Sequence, residues 1–341
     1  MSAQLSSSPA AALPFWLRGP FAPVPDEITS DALVVEGELP RALDGFYLRN
    51  GPNPKDGVSP HWWFGDGMVH GIRLREGQAS WYRNRYVRTA RFTGKPIGPE
   101  GDSPEALRAR RLLGGGSSNT NVIAHAGRLL SLVEAALPVE LAPDLATMGV
   151  YDFGGVLDRP MTAHPKVCPT TGELHFYSYQ IVPPYLTYYV ADRAGRIVAC
   201  QELEVSGPSL MHDFALTPGH AIFFDSPARM TRDWGQGMPF TWSEGAPARI
   251  GVVARPGTPA SARAENGVRW FSFSSGHLGH TTNAFERGTT IVLEGIRYER
   301  FEASPPRLYR WEMDLATGQT REYPVDSDLP IEFPRIDERR V

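Results

Sequence analysis

Apolar and β-branched residues fall in short runs along this chain, each closed by a turn signal. From about residue 33 onward the clearest are "GELHFYSYQIV" (172–182), "YLTYYVADRAGRIVACQELEV" (185–205), "HAIFFDSP" (220–227), "RIGVVARPG" (249–257), "RWFSFSS" (269–275), "TTIVLEGIRYERF" (289–301) and "RLYRWEMDLATGQTREYPV" (307–325). Three turns share one punctuation: Thr171-Gly172, Ala194-Gly195 and Thr317-Gly318 each stand just before a new strand. A glycine able to adopt positive φ is what a tight hairpin demands. Many short strands divided by such turns predict an all-β barrel, sandwich or propeller. At 341 residues the propeller is favoured, because blades added around an axis need no oversized core. No repeat of fixed sequence is evident, so an irregular propeller is expected rather than a WD40 or kelch type. One helix is expected, from Ser103 to Leu113, with Ser103 as N-cap, Pro104 first in the helix and Glu105 at its positive end. Gly114-Gly115-Gly116 would end it.

Composition adds limits. The chain is 41% hydrophobic and 21% charged, ordinary values for a globular protein with a large core. Gly and Pro are spread evenly and no linker divides the chain, so residues 33–341 read as one propeller domain behind an N-terminal segment, 1–32. A net charge of -4 gives no footprint for nucleic acid, and Arg108, Arg110 and Arg111 read as a solvated helix face. Two cysteines, Cys168 and Cys200, make neither a disulfide framework nor a zinc ribbon. A reducing cytoplasm is the expectation. Met1 to Ala12 lacks the basic start and long apolar run of a signal peptide, and no apolar run approaches the ~20 residues of a membrane span. At most the protein touches a membrane surface.

Nine histidines are present, and each taken alone is better read as structural. Three have distinctive settings: His164 before Pro165 at the mouth of a hairpin, His212 in "SLMHDFALT", and His280 in "GHLGHTTNAFERG". Each lies at a strand or loop end, where a propeller directs side chains toward its axis. No His-x-x-x-His helix and no Cys/His knuckle is found. A metal site would therefore have to be assembled from strands far apart in sequence.

Seven blocks occur in order: "ELPRALDGFYLRNGPNP", "HWWFGDGMVHGIRLREGQASWYRNRYVRT", "NTNVIAHAGRLLSLVEAALP", "AHPKVCPTTGEL", "MHDFALT", "HTTNAFERG" and "EFPRIDERRV". Together they resemble the carotenoid cleavage oxygenases, a family of carotenoid and apocarotenoid oxygenases, lignostilbene dioxygenases and the vertebrate retinoid isomerase. The resemblance runs from about Leu39 to Val341. It implies a seven-bladed β-propeller with one iron(II) ion on its axis, held by four histidines. Carried over residue by residue, three ligands would be His164, His212 and His280, with His277 a decoy. Glu134 and Glu332 would hold the imidazoles from behind. Neutral imidazole suits ferrous iron, and a carboxylate on the other ring N–H fixes the tautomer and raises ligand basicity. Thr120 would stand near the open side of the iron, where it could orient dioxygen or restrict the sixth position. Asp66 and His70 read as structural; His61, His125, His175 and His220 match no metal role.

The same resemblance implies a lipophilic polyene and dioxygen as substrates, cleaved at a carbon–carbon double bond to two carbonyl products. It also implies a fourth histidine and a further glutamate downstream of the "EFPRID" block, which residues 1–341 do not contain. On that ground the propeller is expected to be incomplete at its C-terminal end. A second reading stays open: an inactive remnant, or a non-catalytic carotenoid-binding fragment. Stilbene-cleaving members carry a lysine where this chain has Val133, which lowers a phenylpropanoid substrate. Phe15-Trp16-Leu17 and Trp62-Trp63 could form an apolar lip that draws substrate from a membrane.

Overall fold

The computed structural model of the protein describes residues 13–95, 103, 116–134, 136–231, 239–257, 267–301 and 304–336. Period-two alternation and hairpin glycines fold these residues into five four-stranded antiparallel sheets and one small ribbon. Blade I holds β1 (Thr29–Ser30), β2 (Gly45–Pro52), β3 (Gly67–Arg75) and β4 (Gln78–Tyr86), in the order β1-β4-β3-β2. Blade II is a meander of β5 (Asn121–His125), β6 (Arg128–Leu132), β7 (Val139–Leu141) and β8 (Thr147–Val150). Blade III follows with β9 (Lys166–Val167), β10 (Leu174–Tyr179), β11 (Leu186–Ala191) and β12 (Ile197–Leu203). Blade IV contains β13 (Phe214–Leu216) and β14 (His220–Asp225). A ribbon of β15 (Ala228–Met230) and β16 (Phe240–Trp242) interrupts it before β17 (Ala248–Ala254) and β18 (Arg269–Phe273). Blade V is β19 (His277–Arg287), β20 (Thr290–Tyr298), β21 (Arg307–Asp314) and β22 (Thr320–Asp326).

The propeller expectation is met: the described residues lay out five blades, where the resemblance implies seven in a whole ring. Gly172, Gly195 and Gly318 take φ of 72°, 80° and 76°, as the hairpin reading requires. Residues 24–30 of the N-terminal segment are stitched onto blade I. Strand β1 pairs with β4, and Asn53 and Asn84 side chains bond the backbone at Val24 and Ile28. The predicted helix beyond Ser103 lies outside the described residues.

Inner strands of neighbouring blades meet near the axis, β2 against β5 and β13 against β19. Farther out, apolar faces of adjacent blades interlock. Between blades III and IV, Tyr177, Phe214 and Phe223 are fully buried. Phe214 stacks on Phe223 at 5.5 Å and meets Tyr177 edge-on at 5.2 Å. Burying a phenylalanine of this kind contributes up to roughly 3 kcal/mol. This packing fixes how blades III and IV sit together, and with them the histidines that precede β9 and β13.

Candidate metal centre

Three consecutive blades begin their inner strands at one point of the axis. His164 lies just before β9, His212 just before β13, and His280 near the head of β19. Bonds from neighbouring elements hold the backbone at the first two. Asn121 donates to the Ala163 carbonyl at 2.9 Å, and the Tyr177 hydroxyl donates to the Met211 carbonyl at 2.7 Å. The residue preceding each histidine is thus anchored in a buried position, Ala163 at 0% and Met211 at 1% exposure.

The imidazoles converge. One nitrogen from each of His164, His212 and His280 lies within 4.8 Å of the others. His212 Nε2 and His280 Nε2 are 3.1 Å apart. Two nitrogens bound at right angles to one first-row divalent ion, each at roughly 2.1 Å, stand about 3 Å apart. His164 Nε2 is buried with no hydrogen-bond partner, a condition that costs free energy unless something occupies its lone pair. Burial, reinforced by the neighbouring imidazoles, pushes His212 down to about 4 and His164 well below the ordinary histidine value. Neutral rings with free lone pairs are what a metal ion requires. The donor set fits one.

Glu332 grips His280 from behind. Its Oε2 lies 2.7 Å from His280 Nδ1 and accepts the Phe333 N–H at 2.8 Å, while Oε1 accepts the Tyr298 hydroxyl at 2.6 Å. Gly279 makes room: a Cβ there would stand 2.6 Å from Glu332 Oε1. Phe333 adopts φ 54°, a left-handed conformation costly for a bulky residue, and there its N–H meets the carboxylate. Burial raises the Glu332 pKa, but His280, Tyr298 and the Phe333 N–H together bring it below the usual value.

Glu134 is placed differently. Its Oε1 is 3.5 Å from His212 Nδ1 and 4.0 Å from His164 Nε2. Both oxygens are closed off from solvent and neither makes a hydrogen bond of normal geometry. Burial pushes Glu134 up to about 8, against the opposing pull of Tyr179 and the Ala163 backbone. A carboxylate in this condition lacks positive charge nearby, which a cation between the histidines would supply.

Thr120 sits just before β5, the place in blade II that corresponds to the histidines in theirs. Its hydroxyl donates to Asn119 Oδ1 at 3.2 Å. The remaining histidines have other partners: His70 meets Tyr82, His125 the Gly172 carbonyl, His175 Tyr188, His220 Glu286 and His277 Ser226. His61 accepts the Trp63 N–H. Asp66 takes the Lys55 N–H at 3.1 Å. Tyr298 carried no signal in the sequence. Phe333, next to Glu332 in the last block, could have been noticed.

Comparisons with known proteins identify the family that carries this fold. The model of the family described as retinal pigment epithelial membrane protein matches residues 21–341. A carotenoid cleavage oxygenase of Mycobacterium tuberculosis is 36% identical over 96% of this chain and 75% of its own length. This chain belongs to the carotenoid cleavage oxygenase family. Among solved structures, the Pseudomonas brassicacearum lignostilbene dioxygenase superposes with a TM-score of 0.80 at 29% identity, over 96% of this chain and 75% of that one. A cobalt-substituted apocarotenoid oxygenase of Synechocystis gives 0.72 at 26% identity, over 89% and 71%. Several of these relatives are named dioxygenases, among them the carotenoid 9,10(9',10')-cleavage dioxygenase 1 of Arabidopsis thaliana, and this chain carries their fold.

Proposed function

We propose that this protein is an iron(II) dioxygenase that cleaves a carbon–carbon double bond of a carotenoid or apocarotenoid. The observation that carries the reading is the convergence of three imidazoles from three blades, two of their Nε2 atoms 3.1 Å apart. His164, His212 and His280 would hold the ion, with Glu332 behind His280 and Glu134 beside His212. Bound iron(II) supplies unpaired electrons, which lift the spin barrier between triplet dioxygen and a closed-shell alkene. The net reaction places one oxygen atom of dioxygen on each alkene carbon and gives two carbonyls, so it balances without a reductant or a net proton. The chain's own side chains therefore need no general acid or base; they orient and exclude water. Glu332 fixes His280 as the Nδ1–H tautomer, leaving Nε2 for the metal. Thr120 heads the fourth inner strand and is proposed to stand beside the dioxygen position.

A carotenoid-type substrate is favoured over a phenolic stilbene by Val133. Its methyl lies against Gly116, where a Cβ would come within 2.7 Å, and it offers no charge to a phenol. Substrate entry is proposed from a lipid surface. Phe15, Phe21 and Trp62 form an exposed cluster with ring centroids 5.2 to 5.7 Å apart, and Trp63 beside them is 43% exposed. No helix among the described residues is long and apolar enough to cross a membrane. Contact would be peripheral, and two free cysteines fit a reducing cytoplasm.

The test is metal analysis of the purified chain together with an ¹⁸O₂ assay on an apocarotenoid. One iron per chain and one labelled oxygen in each carbonyl product are expected, with both lost in His212→Ala. A His212→Ala protein that keeps full iron and activity would overturn the site. Metal-free, inactive wild-type chain would favour the carotenoid-binding fragment instead.

A further inference from the structure

Each candidate ligand is followed closely by a residue of one buried cluster. Lys166 stands two positions after His164, Asp213 directly after His212, and Thr281 directly after His280. Asp213 is 3% exposed and both its oxygens are used twice. Oδ1 meets Lys166 Nζ at 2.8 Å and accepts the Phe214 N–H at 2.8 Å. Oδ2 accepts the Thr281 N–H at 2.9 Å and the Thr281 hydroxyl at 2.8 Å. Lys166 Nζ also reaches Thr281 Oγ1 at 3.4 Å. One carboxylate thereby ties β9, β13 and β19 together at the level where their histidines meet. Consecutive side chains of extended backbone point to opposite sides, which turns Asp213 and Thr281 away from His212 and His280; Lys166, two positions after His164, reaches both along its long side chain. Lys166 and Thr281 line a cavity of about 590 Å³.

We propose that Asp213, Lys166 and Thr281 are positioning residues: an ionic clamp across blades III, IV and V that sets the spacing of the three histidines. A buried ion pair is a poor source of net stability against an apolar substitute. Its geometric specificity is another matter, because four directed bonds to one carboxylate define where three backbones sit. The inference relies on the metal reading only in naming the histidines as ligands.

The experiment uses the full chain as wild type, Lys166→Met, Asp213→Asn and the double variant Lys166→Met/Asp213→Asn. The first readout needs no metal: hydrogen exchange of the chelator-treated protein. Lys166→Met should speed exchange in the other two blades, in peptides covering residues 211–216 and 279–284. Acceleration confined to residues 164–168 would show no clamp and overturn the proposal. The second readout is cobalt(II) titration followed by the visible spectrum. The single variants should bind cobalt about 10- to 100-fold more weakly, with shifted bands, and should melt at a lower temperature because each leaves one buried charge unpaired. Folded single variants with wild-type affinity and spectrum would also overturn it. Should a single variant fail to fold, the double variant removes both charges and avoids an uncompensated one. It should fold, yet still bind cobalt weakly; wild-type binding by the double variant counts against the clamp. A wild-type chain that takes up no cobalt sinks the metal reading alone, and hydrogen exchange then decides the clamp.

Discussion

Two carboxylates back the same histidine cluster under opposite conditions. Glu332 is engaged on both oxygens, by His280 and the Phe333 N–H on one and Tyr298 on the other. Glu134 faces two imidazoles at 3.5 and 4.0 Å, with no hydrogen bond of normal geometry. Burial penalises both, but only at Glu332 do the donors outweigh it, so Glu332 sits below the ordinary carboxylate value and Glu134 near 8. The difference shows what a protein can organise before its metal arrives. Glu332 is preorganised by the fold. Glu134 stands where a cation must complete the electrostatics.

The largest effect should come from breaking the organised side. Glu332→Gln removes the charge that orients His280 and is expected to weaken cobalt or iron binding about 100-fold. It should also lower stability by roughly 2 kcal/mol, because bonds to an ionised group are lost. Isothermal titration and urea unfolding measure the two. Next comes Gly279→Ala. The added methyl would stand 2.6 Å from Glu332 Oε1 and 2.9 Å from the Tyr298 ring. Two anchored groups cannot both withdraw, so a loss of about 1–3 kcal/mol is expected, with metal affinity falling about tenfold. Wild-type binding by Gly279→Ala would mean that the Glu332 grip is loose.

Glu134→Gln sharpens the contrast from the other side. In the metal-free chain a neutral amide replaces a carboxyl that burial already disfavours as an anion, so stability should change by no more than about 0.5 kcal/mol. Metal affinity should still fall about tenfold, since the outer carboxylate is lost. Equal destabilisation of the metal-free chain by Glu134→Gln and Glu332→Gln would remove the distinction between the two sites.

How much of this was readable beforehand differs from residue to residue. The hairpin glycines and alternating runs are local signals, and they located β10 to β12, β14, β17, β18 and β20 to β22 directly. His164, His212 and His280 could be singled out by their strand-end settings. Their convergence could not be read from spacing, because 48 and 68 residues separate them in sequence and three-dimensional closure is a property of the blades. Family blocks supplied that step, along with Glu134 and Glu332. The two glutamates looked equivalent in sequence; only the surrounding donors, Tyr298 above all, separate them. Tyr298 lies 34 residues from Glu332 within an ordinary strand pattern. Asp213 lay in plain view beside His212, but its partners come from two other blades, so nothing local marked it.

The smallest prediction concerns that tyrosine. Tyr298→Phe keeps the ring and its 5.4 Å edge contact with Phe301, and removes the hydroxyl from Glu332 Oε1. The carboxylate then retains His280 and the Phe333 N–H on Oε2, so it remains ionised and aimed. One bond to a charged group is lost, worth about 1.5 kcal/mol or slightly more, but most of it falls on the fold rather than on the metal. Metal affinity should drop only about two- to fivefold, well short of Glu332→Gln. A drop as large as that of Glu332→Gln would mean that Tyr298, not the Phe333 N–H, sets the carboxylate's direction. The left-handed turn at Phe333 would then be a by-product of the chain's path, and Phe333→Gly, which relieves that turn, should leave metal affinity unchanged.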